Sequence, residues 1–154
     1  MMKKKGLLFG ALCLVMLFLV TGCGKKTAIT TSEFNSKAEK AGYQTTDITA
    51  QYSSYKHVKE ATIAKNDNYQ VEFYVITSEE EAKGMYETNK SDFENSKGSS
   101  SSYSSVELGN YSTYAQTSSG KYKYIARVDS TLLYIDVDEK YKDDVKKFVK
   151  ELGY

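Results

Sequence analysis

No proline occurs anywhere in the chain, and histidine appears once, as His57. The missing proline removes any proline-rich linker, so the composition marks no joint between two domains. A single histidine starves a zinc site, which draws on several His or Cys ligands. It leaves a serine triad open by count, because such a site needs one imidazole. Yet no serine sits in a glycine elbow, and His57 within Tyr55-Lys56-His57-Val58 reads as an exposed loop side chain. A glycine-rich phosphate loop is missing too. Arginine is present once, at Arg127.

Cysteine is nearly absent. Cys13 lies inside an apolar run and Cys23 lies just after it. Removal of that run leaves Cys23 alone, so no intramolecular disulfide is expected and the domain must stand on its packing. Charge of one sign is also lacking. The net charge is +1, and setting aside Lys3, Lys4 and Lys5 leaves 18 basic against 20 acidic residues. A nucleic-acid binder concentrates basic residues in one patch, so no nucleic-acid partner is expected.

What is present begins with an address. Lys3-Lys4-Lys5 precedes the apolar run Gly6 to Val20. A cationic start and a short apolar stretch form a secretory signal. The run has 15 residues, short of the roughly 20 that a stable membrane helix needs. The residues Val20-Thr21-Gly22-Cys23 follow, then Gly24-Lys25-Lys26. This stretch resembles the lipobox and polar spacer of bacterial lipoproteins. The resemblance implies cleavage between Gly22 and Cys23 and a diacylglycerol thioether on Cys23. It also implies lipid anchoring on the outer, extracytoplasmic face of the cell membrane. Two acyl chains give stable attachment, each buried methylene being worth about 0.8 kcal/mol. The expected division is 1–22 as signal peptide, 23–30 as lipidated tether and 31–154 as one domain. A free tether from Gly24 to Thr30 would reach at most about 25 Å.

The remainder suits one core of about 125 residues. Thr30 with Glu33 makes a capping box for a helix over Thr31 to Ala41, with Phe34, Ala38 and Ala41 on one face. Tyr43 to Gln51 is a candidate strand. Val58 to Lys65 and Tyr69 to Ile76 flank the turn Asn66-Asp67-Asn68. Tyr69, Val71, Phe73 and Val75 are the expected core face of the second strand. A helix from Ser78 to Asn95 carries Glu79, Glu80 and Glu81 at its positive end. Ser96 to Ser105 reads mostly as a serine-rich flexible loop. Four short strands follow, from Val106 to Val137, joined by tight turns that imply antiparallel neighbours. The closing helix, Glu139 to Leu152, buries Tyr141, Val145, Phe148, Val149 and Leu152, with Asp138 as its cap. The fold class is α+β: an antiparallel meander of about six to seven short strands with three helices, mainly on one side. The Cys-Gly-Lys-Lys start, the helix ending in Ala-Gly-Tyr and the strands before a closing helix resemble the small surface lipoproteins of Gram-positive bacteria. That resemblance carries no active residues to transfer.

Chemistry is thin in the body. Asp136, Asp138, Asp143 and Asp144 cluster near the last helix, but their spacing is not that of a calcium loop, and acid at a helix start has a dipole to satisfy. No metal and no cofactor are expected. Arg127 shares a strand face with Lys123 and Ile125 and reads as half of an ion pair with a sheet carboxylate, or as a clamp for a ligand carboxylate or phosphate. Every one of the 14 tyrosines lies at or beyond Tyr43. Tyr103, Tyr111, Tyr114, Tyr122 and Tyr124 fall among serine, threonine and lysine, a mixture that suits an adaptable contact surface as well as half-exposed strand positions. The expected function is a non-catalytic, membrane-tethered recognition or accessory module. Its partner would be an envelope protein, an envelope polymer or a small ligand. One alternative is an immunity or exclusion lipoprotein against a toxin or phage. Another is an envelope enzyme, against which the missing nucleophile, metal and histidine clusters weigh.

Overall fold

The computed structural model describes residues 25–154; the leader, the lipobox-like run and Cys23 lie outside the described residues. The chain forms α1 (Thr31–Lys40), β1 (Gln44–Asp47), β2 (Val58–Lys65), β3 (Gln70–Ile76), α2 (Glu79–Asn95), β4 (Ser101–Leu108), β5 (Tyr111–Ser118), β6 (Lys121–Val128), β7 (Thr131–Asp138) and α3 (Lys142–Leu152). Short 3-10 turns cover Thr49–Tyr52 and Glu139–Tyr141. The seven strands make one sheet in the order β1-β2-β3-β7-β6-β5-β4, antiparallel throughout. The α+β class expected from the sequence is the one observed.

Local chemistry explains the elements. Thr30 and Glu33 form the full capping box of α1, which satisfies two backbone donors that a helix start leaves free. The Asn66 side chain accepts from the amides of Asn68 and Tyr69, at 2.9 Å each, and so turns β2 into β3. Ser119 and Gly120, at φ 52° and 73°, make the two-residue link from β5 to β6, where positive φ matches the twist of a hairpin. Asp138 does not cap the last helix. Its carboxylate takes the Lys121 ammonium at 2.8 Å across the β6–β7 pair, and a 3-10 turn leads into α3 instead. The serine-rich stretch read as a loop is ordered from Ser101 onward, because β5 offers it a complete ladder from Ser101↔Ser118 to Leu108↔Tyr111. Backbone pairing along an edge does not need apolar side chains, so the periodicity gave no sign of it.

Two cores result, one on each face of the sheet. On one face α1 and α3 pack over β2, β3, β7 and β6, burying Phe34, Ala38, Phe73, Leu133, Ile135, Val145, Phe148 and Leu152. Phe34 stacks on Phe73 at 4.8 Å between centroids, a geometry favourable for aromatic rings. On the other face α2 crosses the sheet and buries Ala82, Tyr86 and Phe93 against Tyr114, Ile125 and Leu132. Tyr74 and Ile76, which alternate with the expected core face of β3, are therefore buried as well. Residues 26–30 are not a free tether. Asn110 clasps the backbone of Lys26, accepting from its amide at 3.1 Å and donating to its carbonyl at 2.7 Å. Ala28 and Ile29 then pack on the α1–α3 core. Burying two apolar side chains outweighs leaving this short segment in water.

Phe34→Ala should cost about 3–5 kcal/mol, because it empties the contact that seals α1 to the sheet. Urea unfolding would show this as a lower midpoint with an unchanged slope. A loss below about 1 kcal/mol would mean that α1 is peripheral to the core.

Candidate functional site

The three helices do not cover all seven strands. On the α2 face, β5 buries Ser112, Tyr114, Gln116 and Ser118; on the α3 face its Tyr111, Thr113, Ala115 and Thr117 stay half-exposed. All eight residues of β4 are exposed. The β4–β5 pair is thus a wing standing clear of α3, and a groove of about 380 Å³ runs between them.

Its floor is Tyr122, Tyr124, Ala115 and Thr117, its outer rim Ser102 and Ser104, and its inner wall Val149 with Lys142, Lys146 and Lys150. These lysines recur at i, i+4 and i+8, which places them along one side of α3. The other side of α3 carries Asp144, Lys147 and Glu151, and those residues line a separate hollow beside α1. The side of α3 that lines the groove therefore carries lysines and no acid. Among the described residues no carboxylate pairs with Lys142, Lys146 or Lys150. Lys142 donates to the Thr117 hydroxyl at 3.0 Å and lies 5.6 Å from the centre of the Tyr122 ring. Burial pushes the Tyr122 hydroxyl up to about 12, and burial raises Tyr124 as well. Both remain neutral donors at pH 7. The groove thus offers ammonium and hydroxyl donors and no anion.

Lys26 lies beyond the groove lining, bridging the C-terminal end of α3 and the start of β5. Its ammonium donates to the Gly153 carbonyl at 3.2 Å and lies 4.8 Å over the Tyr111 ring. Burial lowers its pKa. Beside Tyr111, the wing ends in Leu108, its registered partner, with Val106 two residues back on the same face.

The structure divides the tyrosines expected to form one surface. Tyr122 and Tyr124 line the groove floor, and the Tyr103 segment borders it. Tyr103 itself is 65% exposed, with the Lys97 ammonium 4.1 Å above its ring. Tyr111 sits under Lys26, beyond the groove lining. Tyr114 lies on the opposite face, fully buried, its hydroxyl donating to Gln116 Oε1 at 2.9 Å. Arg127 is buried on that opposite face too and makes no ion pair among the described residues. Long contacts to the carbonyls of Asp129 (3.4 Å) and Gly109 (3.5 Å) and to Ser112 Oγ (3.4 Å) hold its guanidinium, and its Nε finds no partner. The sheet carboxylates are taken by lysines: Asp136 by Lys123 at 3.7 Å and Asp138 by Lys121 at 2.8 Å.

His57 Nδ1 lies 3.3 Å from Glu81 on the surface. Among the described residues no three His, Cys, Asp or Glu side chains gather as metal ligands, and no described helix is long and apolar enough to cross a membrane. A second cleft of about 400 Å³ lies on the α2 face, lined by Tyr52, Glu72, Tyr74, Met85, Asn89 and Tyr134. Three of its polar groups are committed to one another: Tyr52 and Tyr74 share a hydrogen bond at 2.8 Å, and Tyr74 donates to Glu72.

No family model matches this chain, and no curated protein matches it. A solved structure described as a GTP binding regulator from Thermotoga maritima is similar at a TM-score of 0.47 and 21% identity, over 84% of this chain and 88% of that one.

Tyr114→Ser should cost about 3 kcal/mol or more through cavity formation, whereas Tyr103→Ser should stay within about 0.5 kcal/mol. The two rings stack at 6.3 Å between centroids, so paired urea melts isolate the effect of burial, and equal losses would contradict the exposed placement of Tyr103. The raised tyrosines also predict an alkaline limit. The unfolded chain ionises near pH 10, and the folded one later, near 12 for Tyr122 and Tyr134. Their stability contribution is therefore whole below about pH 10 and falls as pH climbs through the folded values. Tyrosinate absorbance should rise in two stages, the second coinciding with loss of circular dichroism. A single stage with the fold intact would contradict it.

Proposed function

We propose that this protein is an extracytoplasmic lipoprotein, anchored by diacylglycerol on Cys23, that works as a non-catalytic binding module close to its membrane. The lysine-walled groove is its contact surface. The observation that carries the reading is the placement of Lys26. The sequence behind it ends in a lipobox-like Val20-Thr21-Gly22-Cys23, and Lys26 itself is clasped by Asn110 beyond the groove lining. Cys23 stands three residues before that clasp, so chain length holds any lipid on it within about 11 Å of the domain. Lys142, Lys146 and Lys150, without carboxylate partners among the described residues, supply positive charge along the groove that leads from that corner. A partner bearing phosphate or carboxylate groups suits such a wall. Nothing among the described residues favours an immunity role or an enzymatic one.

Mass spectrometry of the protein extracted from its native membrane tests the anchor. The expected product begins at Cys23 and carries the mass of diacylglycerol. A free thiol at Cys23, or a leader still attached, overturns the reading.

A further inference from the structure

Val106 and Leu108 are 41% and 50% exposed. Their register with Thr113 and Tyr111 puts them on the α3 face of the wing, the same face as the groove. Single exposed apolar residues are common. This pair differs in its company. Lys26, with the exit of the chain toward Cys23, lies against Tyr111, directly across the ladder from Leu108. On the far side of the groove stand Lys142, Lys146 and Lys150, without carboxylate partners among the described residues. Of the three acids of α3, Asp144 and Glu151 line the hollow on its other side, and Asp143 is exposed at the start of the helix and lines neither surface. Lys90 ties Glu107 of the wing to α2 at 3.1 Å, on the opposite face of the sheet.

We infer that this face docks on the bilayer that holds the anchor. Leu108 and Val106 enter the interface, and the α3 lysines meet anionic phospholipid headgroups. The inference rests on the anchored reading above and names its partner. Three features carry it: apolar tips beside the tether exit, a cationic row along the same face, and no carboxylate among the residues that line the groove between them. A surface with apolar residues and lysines on one side lies in a membrane interface rather than across it. Lysines near an anionic surface are attracted within about a Debye length, roughly 10 Å at 0.1 M salt. A polymer would satisfy the lysines but would give Leu108 and Val106 no apolar phase to enter.

The chain has no tryptophan, so one introduced indole is an unambiguous depth probe. Leu108→Trp goes on the proposed face. Tyr55→Trp, at a position 62% exposed whose neighbour Tyr52 packs on Tyr74 of the opposite face, serves as the control. The full chain is processed in a bacterial host and reconstituted into vesicles with brominated acyl chains, made of phosphatidylglycerol or of phosphatidylcholine. The Leu108→Trp indole should be quenched at least twofold in phosphatidylglycerol, and the Tyr55→Trp indole should not. Lys142→Gln/Lys146→Gln/Lys150→Gln should reduce the quenching to its phosphatidylcholine level while leaving the melting temperature unchanged. Equal quenching of both probes, or none at Leu108→Trp, overturns the inference. It is also overturned if soluble poly(glycerol phosphate) binds in a lysine-dependent manner while Leu108→Trp stays unquenched. Mass spectra of the same samples separate the two claims. Lipid on Cys23 with an unquenched Leu108→Trp sinks the docking face alone. Lysine-dependent quenching by phosphatidylglycerol without lipid on Cys23 keeps the face and sinks the anchor.

Discussion

The architecture turns on one strand pair. The strands β1, β2 and β3 form one meander, and β4 to β7 form another. The antiparallel pairing of β3 with β7, from Glu72↔Tyr134 to Val75↔Thr131, is what makes them one sheet. It is a short ladder of four registered pairs, against eight between β6 and β7. Side chains reinforce it from both faces. Phe73 and Leu133 lie opposite each other beneath α1 and α3, and Tyr74 and Leu132 lie opposite each other in the α2 core. Cross-strand pairs of large side chains are the unit of sheet stability. Here they join two halves that meet at long sequence separation, the kind of contact whose loop-closure entropy makes a fold slow to form.

That junction decides where the open surface lies. With β7 placed beside β3, β4 falls at the far edge, and α2 must cross the sheet to connect β3 with it. In crossing, α2 covers β5 and β6 on one face. The other face receives α1 and α3, which centre on the joined strands β3 and β7 and stop short of β5. The groove is thus a consequence of topology: three helices, two on one face and one on the other, over seven strands. The lysines of α3 stand at its margin because the apolar stripe Val145, Phe148, Val149 and Leu152 is buried, which fixes the rotation of the helix.

Much of this order can be read directly from residues. The capping box at Thr30 and the Asn66 turn each have a local cause and are observed where they are expected; the stripe of α3 is observed from Val145 to Leu152, while Tyr141 falls in the preceding 3-10 turn and stays half-exposed. The class follows because hairpin turns of two residues leave antiparallel neighbours little alternative. What stayed illegible depends on distant partners. Strand β4 exists because β5 pairs with it, and serines in Ser101–Ser105 carry no periodic sign of that. Tyr114 and Tyr111 look alike in a run of serine and threonine, yet strand parity sends one under α2 and the other to the α3 face. Arg127 was read by its chemistry as a partner for a carboxylate, but the sheet acids Asp136 and Asp138 face Lys123 and Lys121 across the β6–β7 ladder and are already occupied. The groove lysines do carry a signal in the sequence: a spacing of i, i+4, i+8 running beside an apolar stripe.

The proposed anchor and the proposed docking face reinforce each other for a physical reason. A lipid on one residue fixes a point, and about that point a rigid domain remains free to rotate. A few exposed lysines are too weak alone to hold a protein on a surface, since exposed charge pairs contribute at most about 1 kcal/mol and are screened by salt. Tethering changes the second contact from a bimolecular event to an intramolecular one, with an effective concentration in the millimolar range for a short linker. The clasp of Lys26 by Asn110 shortens that linker. Weak contacts then suffice to choose one orientation, which turns the α2 face and its cleft, lined by Tyr52, Glu72 and Tyr74, away from the bilayer. An orientation held this way is reversible: raised ionic strength releases the lysines while the acyl chains keep the domain in place.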